Sequence, residues 1–230
     1  MENRSYKYFD LILGLFVAIL LISNLVSVKA VKIPLPFLHT AFTFDGGTLL
    51  FPFSYIFADI LTEVYGYERS RRVIWSGFAG LVLMAVVVWL VGVIPADPLW
   101  PQQKAYEAVL MTAPRIALGS IIAYFVGEFA NSYILSRLKV KLRGKHLWMR
   151  TIGSTLVGEL LDTVIFVYVA FWGVWEQGLI FSVLVSNYIF KTGYEIMATP
   201  FTYLVTGWLK KAEHEDHYDY EADYNPFLLK

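Results

Sequence analysis

The sequence predicts an all-α membrane protein of six transmembrane helices, with the N and C termini both on the cytoplasmic side. Three observations carry that expectation. Of 230 residues, 57% are hydrophobic and 17% aromatic, at a mean hydropathy of +0.54, which is more apolar surface than a soluble domain of this size can cover. The apolar residues come in runs: neither 11–28 nor 73–94 holds a charged residue, and a run of about 18 or more reads as a membrane span. The basic residues between the runs are unevenly shared.

The first span is expected over 8–28. It flows into polar Ser23 and Asn24 without a small-residue cleavage site, so it reads as a retained helix rather than a signal. The others are expected over 48–67, 72–94, 114–137, 151–175 and 179–209. The last is longer than a hydrocarbon core of about 30 Å requires, so it must tilt, kink at Pro200 or break near Thr192 and Gly193. Residues 32–47, rich in Pro and Phe, are expected to fold back onto the bundle as a short hairpin or half-buried segment. Residues 97–112 read partly as a surface helix with Tyr106, Val109 and Leu110 on one side. Trp100, Trp148, Trp175 and Trp208 fall near span ends, as an aromatic belt would.

Orientation follows from the loops. Arg4, Lys7, Arg69, Arg71, Arg72, Arg137, Lys139, Lys141, Arg143, Lys145, Arg150, Lys210, Lys211 and Lys230 lie on one side; Lys29, Lys32 and Lys104 lie on the other. The richer side is cytoplasmic by the positive-inside rule. Residues 1–211 form one transmembrane domain, and 212–230 a polar acidic cytoplasmic tail. The tail's His214-Glu215-Asp216-His217 reads as solvated rather than as a metal site.

Several classes of function are disfavoured. The chain has no cysteine, hence no disulfide or thiolate chemistry. Its formal net charge is zero, which argues against a nucleic-acid partner. His39, His146, His214 and His217 fall in loops or the tail, no His-Glu-x-x-His pattern exists, and no glycine-rich phosphate loop appears. No enzyme activity, metal or cofactor is expected. The expected partners are the lipid bilayer and a small molecule; a homo-oligomer is compatible with the sequence.

The informative residues are charges inside the spans: Asp59, Glu63, Glu128, Asp162, Lys191 and Glu195. Each costs about 2.5–3.5 kcal/mol at the centre of a membrane helix on insertion scales, so such residues face one another, water or a solute. At 1.5 Å per residue, Asp59, Glu128, Asp162, Lys191 and Glu195 fall within about 5 Å of the midplane, where transporters commonly place substrate. Glu63 and Asn131 lie lower. Spacing agrees: Asp59 and Glu63 share a face, as do Asn187, Lys191 and Glu195, then Glu159, Asp162 and Phe166, and Tyr124, Glu128 and Asn131. Such a layer suits a flat polar heterocycle, with rings for stacking and carboxylates for N–H donors. Six acids against Arg115 and Lys191 point to a cationic or proton-coupled solute.

Blander readings stand beside these. Lys191–Glu195 is also the spacing of a salt bridge along one helix face. Asp59 and Glu63 could pair with Arg71 or Arg72 at the rim, and Glu159 with Arg150. Arg115, which opposes the helix dipole just after Pro114, could serve a substrate or snorkel to the outer surface. Ser154 with Gly158, and Ala123 with Gly127, read as helix packing.

The run Phe51-Pro52-Phe53-Ser54-Tyr55, then Asp59-Ile60-Leu61-Thr62-Glu63-Val64-Tyr65-Gly66-Tyr67 and Arg71-Arg72, resembles the queuosine precursor transporter family, also grouped among vitamin uptake transporters. Gly127-Glu128-Phe129-Ala130-Asn131, Arg150-Thr151 to Ser154 with Asp162-Thr163 and Phe166, Lys191 to Pro200, and Asn225-Pro226-Phe227 extend the likeness over nearly the whole chain. The resemblance implies a multi-pass protein of the bacterial cell inner membrane that imports a purine-like 7-deazaguanine (preQ0, preQ1 or queuine) for tRNA modification. The candidate substrate-binding residues are Asp59, Glu63, Arg115, Glu128, Asn131, Asp162, Phe166, Asn187, Lys191 and Glu195. The competing expectation is a substrate-binding subunit of an energy-coupling-factor vitamin importer. Many such subunits carry Ala-xxx-Ala in the first helix, whereas here Ala18 is followed by Ile22.

Overall fold

The structure, a computed structural model, describes residues 6–27, 29–35, 40–111, 114–173 and 176–228. Its helices are α1 (Phe9–Val26), α2 (Phe51–Tyr65), α3 (Tyr67–Val93), α4 (Gln103–Leu110), α5 (Pro114–Lys141), α6 (Leu147–Phe171) and α7 (Gln177–Glu213). The departure from an all-helical chain is a hairpin, β1 (Ala30–Leu35) paired antiparallel to β2 (Thr40–Asp45), with Ala30 opposite Asp45 and Leu35 opposite Thr40. The Pro- and Phe-rich segment therefore does form a hairpin; residues 36–39 and the strands' side chains lie outside what is described.

Among the described residues α1, α3, α5 and α6 are long and apolar enough to cross a membrane. At 15 residues α2 is shorter than its expected span, because residues 46–49 form a separate 3-10 turn. Its neighbour α3 starts at Tyr67 instead of 72, since only Gly66, with φ +86°, separates the two. In α7, 37 residues run unbroken through Thr192, Gly193 and Pro200; Asn187, Lys191 and Glu195 dilute its apolar character.

Packing places the site. Helix α2 packs on α5 and α7, and α6 packs on the same two, so these four close a ring. Outside it, α1 lies on α2 and α3, and α3 on α2 and α5. The apolar core fills the seam between ring and outer helices, with Phe16, Leu20, Ile56, Leu61, Val64, Ile74 and Leu81 all buried.

Residues 6–8 and 213–226 meet at one face, here termed the base. The amides of Lys7 and Tyr8 donate to Glu213 at 3.0 and 2.7 Å. The expectation of a solvated tail does not hold, because residues 217–226 bind the base. Asp219 accepts from the Tyr67 amide at 3.0 Å and from Ser136 Oγ at 2.6 Å. Arg71 Nη1 donates to the carbonyls of Asp223 and Asn225, and Trp75 Nε1 to that of Pro226. Gly66 serves twice here: its positive φ favours glycine, and a Cβ would strike the His217 ring and Asp219. Burial pushes the Asp219 carboxyl up, but hydrogen bonds from His217, Ser136 and the Tyr67 amide outweigh it and hold it below the usual 3.8.

Candidate functional site

The closest helix approach in the ring is between α5 and α6. A Cβ on Gly127 would sit 2.8 Å from Tyr55 Oη and 2.9 Å from Asp162 Cβ, and one on Gly158 would sit 2.9 Å from Asn131 Cβ. Two glycines therefore let the backbones meet, which brings Glu128 and Asn131 of α5 beside Glu159 and Asp162 of α6. Tyr55, one turn before Asp59 on α2, projects between them.

Four helices then supply one polar layer. Asn131 Nδ2 donates to Asp59 Oδ1 at 2.6 Å, linking α5 to α2. Lys191 Nζ donates to Asp162 Oδ2 at 2.7 Å and pairs with Glu159 at 3.1 Å, linking α7 to α6. Glu128 is fully buried and interacts electrostatically with Asp59, Asp162, Glu159 and Glu195. The convergence expected from depth and spacing is present for Asp59, Glu128, Asp162, Lys191 and Glu195, whereas Asn131, expected to lie lower, joins the layer through Asp59.

The pairings differ from those read along single helices. Lys191 turns to α6 rather than to Glu195, whose two carboxylate oxygens accept no hydrogen bond among the described residues. Glu159 pairs with Lys191, not Arg150. Glu63 meets Arg150 at 2.5 Å, Lys210 at 2.6 Å and Lys139 at 3.6 Å, rather than Arg71 or Arg72. It thus belongs to an ion cluster at the base, one turn below the layer. Phe166 and Asn187 are half-buried on α6 and α7. Arg115 falls in the first turn of α5, and its side chain lies outside what is described. Tyr55 and Glu159 join the layer although neither is among the expected binding residues. Their spacing was the available signal: Tyr55 precedes Asp59 by four residues, and Glu159 precedes Asp162 by three.

The layer has a surplus of acceptors. Both oxygens of Glu128, both of Glu195, Asp59 Oδ2 and Asn131 Oδ1 are buried without a hydrogen-bond partner among the described residues. An unpaired buried acceptor costs about 1–3 kcal/mol, more when charged. Among the described residues five carboxylates share the one ammonium of Lys191, a layer suited to a guest rich in N–H donors or positive charge. Among the described residues no three His, Asp or Glu side chains are grouped to hold a metal ion.

The chain is similar to known membrane transporters. Residues 45–205 match the family model described as "Putative vitamin uptake transporter". A Bacillus subtilis protein named "Probable queuosine precursor transporter" is 30% identical over 197 residues, covering 83% of this chain and 82% of that one. An Escherichia coli "Queuosine precursor transporter" is 26% identical over 140 residues, 61% of each chain. A Haemophilus influenzae protein, also named "Probable queuosine precursor transporter", is 26% identical over 126 residues, 55% of this chain and 51% of its own. No solved structure matches the chain.

Proposed function

We propose that this chain, which belongs to the vitamin uptake transporter family, imports a queuosine precursor, a 7-deazaguanine such as preQ0, preQ1 or queuine, for tRNA modification. It is a multi-pass bacterial membrane transporter and not an enzyme; the inner membrane is its proposed location. The proposed topology has α1, α2, α3, α5, α6 and α7 crossing, with the base cytoplasmic. The shared face of residues 7–8 and Glu213 and the excess of basic residues in the sequence segments on that side support it.

The observation that carries the cargo assignment is the buried acceptor surplus around Glu128. A guanine-like edge presents several N–H donors in one plane, and in this reading Glu128 or Asp162 accepts them. Lys191 or Asn131 donates to the ring carbonyl, and Tyr55 and Phe166 supply aromatic surface. An aminomethyl cation, as on preQ1, adds positive charge where five acids share one lysine. Arg115, at the far end of α5, is proposed to meet the cargo on entry.

The test is uptake of labelled preQ0, preQ1 and queuine by purified protein in liposomes, with adenine and guanine as controls. Saturable uptake of a 7-deazaguanine by this chain alone supports the reading. Uptake that requires an added ATPase module would shift it to the energy-coupling-factor class. Asp162→Asn is expected to abolish uptake with normal expression; full activity in that variant removes the assignment of Asp162.

A further inference from the structure

We infer that the base half of the ring is the route by which cargo leaves the layer, and that a cluster centred on Glu63 and Arg150 closes it. The inference rests on the transport reading above, but its evidence lies outside the binding layer. Below Glu195, α7 carries buried Thr199, Thr202 and Thr206 at steps of four, three and four, ending on Lys210 a further turn on. On α6, which packs against α7, Ser154 and Thr155 are likewise buried between Arg150 and Glu159. Buried hydroxyls thus form a track along both helices between the layer and the base.

Hydroxyls buried in a helix often satisfy themselves on the preceding turn, and Thr199 and Ser154 do so, at 2.9 Å each to Glu195 O and Thr151 O. Thr155 Oγ1 and Thr206 Oγ1 have no hydrogen-bond partner among the described residues. Burying a hydroxyl unpaired is costly, and two of them on neighbouring helices are what a path visited by polar matter would carry.

At the foot of this track one carboxylate holds all four ring helices. Glu63 of α2 takes Arg150 from α6, across the ring, with Lys210 from α7 and Lys139 from α5. Lys139 also donates to the backbone carbonyls of Glu63 and His217. The tail adds a latch: Asp216 pairs with Lys139 at 2.5 Å and Lys210 at 2.9 Å. Such a cluster suits a gate better than a permanent tie. A buried ion network gains little stability over an apolar plug, because desolvation offsets the attraction. When it parts, water re-hydrates every member, whereas a parted apolar plug would leave bare surface.

The cysteine-free chain permits a direct test. Thr206→Cys places one thiol on the track, and a membrane-impermeant cationic methanethiosulfonate is applied from either side of reconstituted vesicles. With the gate intact, labelling from the base side should be at least tenfold slower than at an exposed Lys211→Cys control. Adding Glu63→Gln, or the gentler Asp216→Asn at the half-exposed latch, should raise the rate at least tenfold from the base side. Equal rates at Thr206→Cys and the control overturn the inference, as does a rate that neither substitution changes. If Glu63→Gln does not fold, Asp216→Asn decides. Absence of 7-deazaguanine uptake alongside the expected labelling would sink the cargo assignment and leave the gate standing.

Discussion

Replacing Lys191 by Met removes the one ammonium of the layer while keeping the length of the side chain. In the native protein Nζ lies 2.7 Å from Asp162 and 3.1 Å from Glu159, and both acids are buried. Removing one partner of a buried ion pair costs about 3–5 kcal/mol, because a charge is left in a poor solvent. For a chain of this size about 2–4 °C of melting temperature corresponds to each kcal/mol, so Lys191→Met should melt about 6–20 °C lower. Replacing a whole buried ion network by well-packed apolar groups of similar volume is often neutral or stabilising. Lys191→Met combined with Glu159→Met and Asp162→Leu should therefore recover most of that loss. Both proteins should be inactive in uptake, which separates stability from function. The assay is thermal unfolding in detergent followed by size-exclusion chromatography. A single variant melting within about 2 °C of the native protein, or a triple variant no better than the single, would refute the claim that the ammonium neutralises this pair.

Further outcomes follow from other contacts. Gly158→Val should push α6 off α5, since a Cβ there already meets Asn131 Cβ at 2.9 Å; overpacking costs about 1–3 kcal/mol, and uptake should fall at least tenfold, measured beside a melting curve. Asp219→Ala leaves the buried Tyr67 amide and Ser136 hydroxyl without their acceptor, about 1–3 kcal/mol of docking, and should expose residues 217–226 to protease. Asp219 sits below its unfolded value of about 3.8, so its contribution to docking is present above that pH and is lost only as pH falls through the lower folded value. Protection of the tail against hydrogen exchange should thus fall as pH drops below about 4.

Most of the helical frame was legible because hydropathy is a local signal: α1, α3, α5 and α6 announce themselves as apolar runs. The layer was legible because helix pitch projects spacing onto depth, which put Asp59, Glu128, Asp162 and Lys191 at one level. Partners were not legible, because they depend on which helix stands beside which. The four-residue step offered Glu195 to Lys191, but α7 lies against α6, and Asp162 is nearer. Glu63 shared a face with Asp59 and was grouped with it, yet the turn between them is enough to move it from the layer to the ion cluster. The tail read as solvated because its acidic composition is a local property. Its anchors, Arg71, Trp75, Ser136 and Lys139, lie some 75–155 residues earlier in the chain, out of reach of any window-based reading.

At 1.5 Å per residue the 37 residues of α7 extend about 55 Å, well beyond the hydrocarbon thickness, and the helix carries Lys191 and Lys210 about five turns apart. Pro200 stands between them and cannot donate to the carbonyl one turn before it, leaving a soft joint in an otherwise stiff lever. Lys191 holds Asp162 above Pro200 and Lys210 holds Glu63 below it, so a single rod is pinned to its neighbours at two levels.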